Sequence, residues 1–172
     1  ERPMIRTLLR DGEALALGML ALCGALVTGA LVMEHVFGHV PCPLCLMQRI
    51  WFLIAGLCIA AGLLHDSRLG IYPLLATLAA LVGGGFSIRQ LWLQSLPPDQ
   101  VPACMPPIDY MIKGGYPGME ILRAMTQGTG DCAKVEWSFL GLSFAGWALV
   151  GFAAVITLGV LQLRAVSRLV HR

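Results

Sequence analysis

Four cysteines in this 172-residue chain have the spacing that disulfide chemistry requires. Cys42 and Cys45 form a Cys-x-x-Cys pair, while Cys104 and Cys132 lie far apart in a long polar segment. Thiolates are nucleophiles that exchange with disulfides. Because both pairs lie at the ends of apolar segments, the pattern predicts a relay that passes electrons between water and lipid.

Spacing alone leaves other uses of these cysteines open. Four thiolates could bind zinc, although structural zinc sites usually have two closely spaced pairs. For Cys104 and Cys132, spacing favours a structural disulfide, because closing a loop of that length contributes about 3 to 4 kcal/mol. Cys23 and Cys58 lie within apolar segments, where a thiol packs as a small hydrophobe. We expect these last two to be inert.

The elements that position the cysteines are predicted to be membrane helices. Hydrophobic residues make up 57% of the chain and charged residues 13%, and the mean hydropathy is +0.75, which is outside the usual balance of a soluble domain. Four apolar segments can each cross a hydrocarbon core, which takes about 20 helical residues. They predict helices over 14–36, 46–64, 71–93 and 139–163. We therefore predict an all-α fold, a single integral membrane four-helix bundle over residues 1–172.

The basic residues predict how this bundle is oriented, since short cytoplasmic segments are enriched in Lys and Arg. They cluster before the first helix, between the second and third, and after the fourth. These residues are Arg2, Arg6, Arg10, Arg68, Arg164, Arg168 and Arg172. Both termini are therefore predicted to be cytoplasmic, with loops 37–45 and 94–138 on the outer, non-cytoplasmic side. No small-residue cleavage pattern follows the first helix, so we expect it to remain as an anchor.

The long outer loop differs in composition from the rest of the chain. Its prolines interrupt regular structure; they are Pro97, Pro98, Pro102, Pro106, Pro107 and Pro117. Within the loop, charged side chains are interspersed among apolar ones over residues 119–125, in a pattern typical of a short amphipathic helix. Such a helix could rest on the membrane surface or pack as a small cluster on the bundle.

The start of the second helix is predicted to activate the Cys-x-x-Cys pair. Unpaired backbone N–H groups and the helix dipole favour a thiolate in the first turn, and Pro43 suits the first helical position. Cys42 would then lie at the cap and Cys45 deeper. Arg49 follows Cys45 by one turn on the same face, where it could stabilise a thiolate and the charge developing on an electron acceptor. Alternatively, Arg49 extends only to the membrane interface.

The electron acceptor is predicted to be soluble in lipid. No Gly-rich nucleotide fingerprint occurs, since the glycines at 83–85 lie within an apolar helix and are expected to allow close helix packing. Without a flavin or nicotinamide site, a quinone is the natural acceptor. Gln48, Arg89 and Gln90 are weaker candidates for its pocket.

A further polar group lies at the outer end of the first helix. Glu34, His35 and His39 could form a metal or proton site. Such residues are equally ordinary where a helix meets the headgroups.

Taken together, these motifs resemble those of the bacterial disulfide bond formation protein B (DsbB) family. The likeness covers nearly the whole chain, in helix number, cysteine order and loop lengths. The residues that carry it are Pro41-Cys42-Pro43-Leu44-Cys45, Gln48-Arg49, Cys104, Gly130-Asp131-Cys132-Ala133, Trp137 and Phe139-Leu140-Gly141-Leu142.

The resemblance implies an inner-membrane enzyme that reoxidises a periplasmic thioredoxin-like oxidase, DsbA, and reduces ubiquinone or menaquinone, with no metal, flavin or nucleic acid. It also implies that Cys104 forms the mixed disulfide with DsbA and that Cys132 is its partner. Electrons would then pass to Cys42 and Cys45, and Cys45 would face the quinone beside Arg49.

Two features depart from the familiar family pattern. Gln48 stands where an acid is usual, which could alter the charge around the quinone, and the residues between Cys42 and Cys45 are Pro-Leu, which could alter the redox potential. A second interpretation is a vitamin K epoxide reductase-like protein, but in such a protein the Cys-x-x-Cys is expected at the last helix of the bundle. A non-enzymatic transporter or scaffold with two structural disulfides is a third.

Overall fold

The computed structural model describes residues 2–66 and 69–170, with side chains described for 11–66 and 69–168. Part of the orientation prediction therefore falls outside the described residues. Arg68 and Arg172 lie there entirely, as do the side chains of Arg2, Arg6 and Arg10.

Four long helices form the body of the described structure. They are α1 (Arg2–His35), α2 (Pro43–His65), α3 (Ile71–Gln94) and α7 (Phe144–Val170). Each contains a segment long and apolar enough to cross a membrane, at Asp11–His35, Pro43–His65, Ile71–Gln94 and Phe144–Arg168. The prediction of a mainly helical chain with four helices long and apolar enough to span a membrane is confirmed. Some helices extend beyond the apolar segments, because backbone hydrogen bonding continues through polar residues that hydropathy leaves out.

The four helices pack in a ring, with α2 and α7 each lying between α1 and α3. At the centre, the rings of Phe52 and Phe152 stack with centroids 3.8 Å apart. A Cβ atom at Gly83 would collide with the Phe152 ring, so the glycine lets α3 and α7 approach closely, as the sequence predicts. The outward faces carry exposed apolar side chains suited to lipid, among them Leu53, Leu57, Leu64, Leu78, Val82, Ile88, Val150 and Leu161.

The long loop contains more regular structure than its prolines predict. Three short helices, α4 (Ile108–Lys113), α5 (Gly118–Gln127) and α6 (Gly130–Ala133), precede a two-stranded hairpin. Prolines do not prevent this, because Pro107 and Pro117 lie immediately before α4 and α5 and not inside them. The predicted amphipathic helix is α5. It packs on α2 and buries Ala124, while Met119 and Leu122 remain exposed.

The fourth long helix begins five residues later than its apolar segment indicates. Residues 139–143 belong instead to the hairpin, in which β1 (Ser138–Phe139) pairs antiparallel with β2 (Leu142–Ser143). Leu140 and Gly141 form the two-residue turn, and both have the positive φ angles that such turns require. Ser143 then caps α7, because its hydroxyl accepts a hydrogen bond from the Gly146 N–H at 3.4 Å.

Candidate redox site

The Cys-x-x-Cys pair opens α2 with the geometry that the sequence predicts. Cys42 is the N-cap residue in an extended conformation, and Pro43 occupies the first turn. The Cys42 Sγ accepts a hydrogen bond from the Cys45 N–H at 3.3 Å, which satisfies one of the free donors of the helix end. The two Sγ atoms are 2.7 Å apart. Both sulfurs therefore lie at the positive end of the helix dipole, close enough to share a proton.

A buried amide from the neighbouring helix contacts both sulfurs. The Gln90 Nε2 of α3 lies 3.3 Å from the Sγ of Cys42 and 3.3 Å from that of Cys45. Its Oε1 accepts a 2.7 Å hydrogen bond from Gln48 Nε2, which orients the amide so that its N–H groups point to sulfur. Gln48 and Gln90 are both almost fully buried, at 4% and 3% exposed. The pair thus supplies neutral donors that stabilise negative charge on either sulfur.

The third sulfur of the cluster comes from the long loop. Cys132 lies in α6, is fully buried and hydrogen-bonds with Cys42. This hydrogen bond, supported by the backbone at Thr129 and Leu44, lowers the pKa of Cys132 to about 6, whereas donation to Cys132 raises the pKa of Cys42. Cys132 is therefore the thiolate and Cys42 the proton donor. The two sulfurs are arranged for thiol exchange between the loops.

The fourth candidate cysteine lies at the surface beside the same short helix. Cys104 is exposed, and its segment is held against α6 by a 3.1 Å hydrogen bond from the Gly130 N–H to the Ala103 carbonyl oxygen. A Cβ atom at Gly130 would collide with the Pro102 carbonyl oxygen and lie 3.0 Å from the Cys104 Sγ. The glycine is thus needed for the close approach.

A lysine adds positive charge near this surface cysteine. Lys134 Nζ pairs with Asp131 at 2.9 Å. Its pKa is raised, first by that hydrogen bond and further by Cys104. The Lys134 ammonium group therefore places positive charge beside the Cys104 sulfur.

Arg49 is paired with a carboxylate. Its Nη1 forms an ion pair with Glu34 of α1, and its Nη2 donates to the Ala30 carbonyl oxygen at 3.1 Å. The Arg49 side chain is only 17% exposed, so a partner is expected for a charge at this depth. Arg49 therefore links α2 to α1.

A cavity of about 310 Å³ adjoins the sulfurs and is referred to here as the redox cavity. Its apolar walls come mainly from α1 and α7, and its polar edge comes from α2, α3 and the loop after α6. The polar edge contains Cys42, Cys45, Gln48, Arg49, Gln90 and Gln94. An apolar pocket with a few convergent polar groups fits the headgroup of a quinone, with donors at one end and lipid-like walls around the ring.

The structure brings most of the predicted site residues together and leaves one apart. Cys42, Cys45 and Arg49 line the redox cavity, as do the weaker candidates Gln48 and Gln90. Arg89, in contrast, does not line it. Its guanidinium lies over the Trp92 ring at 4.5 Å and donates to the Gln127 carbonyl oxygen at 3.2 Å. Side chains of adjacent residues on a helix point about 100° apart, so Arg89 and Gln90 of α3 face different surroundings.

Two members of the site were not identified by the sequence argument. The sequence suggests Glu34 only for a metal or proton site, although a buried arginine predicts a carboxylate on a neighbouring helix. Lys134 was missed, and its place two residues after Cys132 was the available signal.

Comparison with known proteins gives a consistent family match. The family model described as "Disulfide bond formation protein DsbB" matches residues 12–162. A "Disulfide bond formation protein B" of Marinobacter nauticus is 50% identical over 141 residues, 80% of this chain and 83% of that protein. "Disulfide bond formation protein B 1" of Pseudomonas aeruginosa is 43% identical over 143 residues, 81% of this chain and 87% of that protein.

A third relative, the "Disulfide bond formation protein B" of Hahella chejuensis, is 47% identical over 136 residues, 77% of this chain and 81% of that protein. No solved structure gave a significant match. The family model covers far more than half of the chain and includes all four cysteines of the candidate site. The chain therefore belongs to the DsbB family of disulfide bond formation proteins.

Proposed function

We propose that this chain reoxidises a periplasmic DsbA-like oxidase and passes the electrons to ubiquinone or menaquinone, with its cysteines on the periplasmic side of the bacterial inner membrane. Family membership makes it a quinone-dependent thiol oxidoreductase that supports disulfide formation. We further assign each step of the electron transfer to particular residues. The observation that supports it most strongly is the contact of Cys132 with Cys42 beside the redox cavity.

The first exchange takes place at the exposed sulfur. A thiolate of the reduced partner attacks Cys104 of a Cys104–Cys132 disulfide; the mixed disulfide with Cys104 forms, and Cys132 leaves as a thiolate. The second partner thiolate then displaces Cys104, so the partner leaves oxidised and two electrons stay on the loop pair. The exposure of Cys104 and the burial of Cys132 support this order, because a thiolate of a protein partner reaches only the exposed sulfur of the loop pair.

The second exchange moves the electrons to the start of α2. The Cys132 thiolate attacks Cys42 of a Cys42–Cys45 disulfide, which forms a Cys42–Cys132 bond and releases Cys45 as a thiolate. The Cys104 thiolate then closes the loop disulfide and returns Cys42 to its reduced form. Gln90 stabilises the charge that each step leaves on a sulfur of the α2 pair, through its 3.3 Å contacts with Cys45 and Cys42.

The residues that would hold a quinone are those of the redox cavity. A quinone held there would supply the acceptor for the two electrons and two protons of the dithiol. Cys45 would face it, Arg49 would supply positive charge at the same wall, and the apolar residues of α1 and α7 would exclude water from the ring.

The relay is tested by quinone reduction with purified protein in detergent and a reduced DsbA-like oxidase as donor. Cys45→Ser and Cys104→Ser should each abolish turnover while the protein remains folded. Cys58→Ser is the matched control, because Cys58 lies in α2 away from the redox cavity and should keep full turnover. Unchanged turnover in both active-site variants, or none in the natural protein with several quinones, would refute the proposal.

A further inference from the structure

A second cavity, of about 480 Å³, lies between the end of α1 and α4 and is referred to here as the outer cavity. Glu34 and Asp109 are the acidic residues of its walls, which also include residues 38–41 and 107–108. The outer cavity and the redox cavity share one stretch of wall, His39, Val40 and Pro41. Among the three residues of this shared wall, only His39 has a side chain that can accept and release a proton.

The His39 ring is held by packing, while its proton is not fixed by a partner. It meets the Phe144 ring edge-on, with centroids 5.9 Å apart at 78°. Its Nδ1 is buried and has no hydrogen-bond partner among the described residues. A partner normally fixes which ring nitrogen is protonated, and an unpaired buried nitrogen costs about 1 to 3 kcal/mol. The ring is thus fixed by its packing, while Nδ1 remains free of protein partners among the described residues and available to exchange a proton.

The proposed reaction requires such a group near the redox cavity. Oxidation of the Cys42–Cys45 dithiol forms one S–S bond and releases two electrons and two protons, all of which a quinone takes up. Because the thiolate is the reactive form, any proton that Cys42 or Cys45 carries must leave the sulfur before its electrons do. Another group must hold that proton in the interval.

The guanidinium and amide groups of the redox cavity, those of Arg49, Gln48 and Gln90, cannot serve this purpose. Arg49 keeps its proton at all relevant pH values, and the amides of Gln48 and Gln90 do not titrate. An imidazole both accepts and donates a proton near neutral pH. The charged and titratable groups that line the two cavities with His39 are Glu34, Cys42, Cys45, Arg49, Asp109, Asp131, Lys134 and Glu136.

We propose that His39 is the proton-transfer residue between the outer cavity and the redox cavity. This inference rests on the quinone reductase function proposed above. One ring nitrogen takes the proton that the thiol pair releases and delivers a proton to the acceptor, while the ring exchanges protons with water in the outer cavity. Two protons leave sulfur and two reach the acceptor in each cycle, and His39 returns to its starting state.

Two substitutions separate the proton-carrying role of His39 from its packing. His39→Gln retains hydrogen-bonding groups but cannot titrate, and His39→Phe retains the aromatic contact with Phe144. His35→Gln is the matched control, because His35 is exposed, bonds to the Leu31 carbonyl oxygen and lines neither cavity.

The first measurement uses reduced protein without quinone. In a background with Cys23→Ala, Cys58→Ala and Cys104→Ser, exchange of the remaining S–H groups with D2O is followed by the infrared S–H stretch. Both His39 variants should exchange about 100-fold more slowly than the background protein, the lower end of what a positioned acid–base group contributes. His35→Gln should exchange at the background rate. Equal rates in folded His39 and His35 variants would overturn the proposal.

The second measurement follows quinone reduction by the otherwise natural protein. The His39 variants should turn over more slowly, show a larger solvent deuterium isotope effect, and recover when free imidazole is added. A lack of recovery together with an unchanged isotope effect would overturn the role of His39. Failure of the natural protein to reduce quinone would instead refute the proposed function, and S–H exchange would still report on His39.

Discussion

Arg49 pairs with the carboxylate of Glu34 on α1 and with the Ala30 carbonyl oxygen of the same helix. The positive charge one turn below Cys45 is therefore partly neutralised. The acid beside this arginine comes from a neighbouring helix, while the adjacent residue on α2, Gln48, is neutral.

Removing this acid should make Cys45 more reactive. In Glu34→Gln, uncompensated Arg49 favours the Cys45 thiolate, and alkylation by iodoacetamide at pH 7 should rise about fivefold, or ~1 kcal/mol. The rate is measured in quinone-free protein, with the modified cysteine located by mass spectrometry. Adding Arg49→Gln should cancel the increase, and Glu120→Gln on the exposed face of α5 should have no effect. A rate that stays constant in Glu34→Gln would contradict the prediction.

Gln90 should be needed for turnover through its donors to sulfur. Gln90→Leu removes the hydrogen bonds to both Cys42 and Cys45, and since hydrogen bonds to charged groups contribute about 1.5 to 3 kcal/mol, turnover should fall roughly 10- to 100-fold. Gln90→Glu should be worse, because it places a carboxylate beside two sulfurs. The control is Gln162→Leu, because Gln162 is also a buried glutamine and lies near the C-terminal end of α7. Equal activity of the two leucine variants would show that the contacts to sulfur are dispensable.

The reactivity of Cys132 should depend on Cys42. With a pKa of about 6, Cys132 is roughly nine-tenths thiolate at pH 7 and is protonated as the pH falls through that value. Cys42→Ala removes the hydrogen-bond donor to Cys132. The pKa of Cys132 should therefore rise, and its thiolate should become protonated already above pH 7. Ultraviolet thiolate absorbance, titrated in a Cys104→Ser background, measures the shift. Coincident titration curves with and without Cys42 would contradict it.

Gly130→Ala should impair entry of electrons without unfolding the chain. The added Cβ meets the Pro102 carbonyl oxygen and the Cys104 Sγ, so the Cys104 segment must move away from α6. Formation of the mixed disulfide with the reduced partner should slow about tenfold, since small displacements of reacting groups have large effects on rate. Gly118→Ala, where a Cβ meets no neighbour within 4 Å, should form it at the natural rate. The reaction is followed by rapid acid quench and mass analysis.

Two glycines of the same helix should respond oppositely to alanine. At Gly83 the new Cβ collides with Phe152, and overpacking of this kind costs about 1 to 3 kcal/mol. At Gly85 no atom lies within 4 Å, so the better helix propensity of alanine should leave stability unchanged or raise it by up to about 1 kcal/mol. Thermal unfolding in detergent compares the two. A Gly83→Ala protein as stable as Gly85→Ala would contradict the packing described for α3 and α7.

The number of membrane helices could be predicted from sequence because hydropathy records it directly. The capping geometry of Cys42 and Pro43 was also predictable, since it depends on residues that are adjacent in the chain. The start of α7 was not, because apolar residues continue through the hairpin, and only the Leu140-Gly141 turn and the Ser143 cap distinguish strand from helix.

Contacts between distant segments needed the structure. The Gln48–Gln90 hydrogen bond and the Arg49–Glu34 pair join different helices, and spacing along one helix does not reveal how its neighbours are rotated. For the same reason, Arg89 and Gln90 could not be separated by sequence, although they face different surroundings.

The unequal exposure of the two loop cysteines has a consequence for selectivity against small thiols. Cys104 lies at the surface, whereas Cys132 is fully buried between its loop and Cys42. A small thiol or disulfide in solution therefore reaches one sulfur of the loop pair and not the other. Exchange of the loop pair with such molecules is therefore limited to Cys104, the residue that a reduced protein partner would cover in the proposed first exchange.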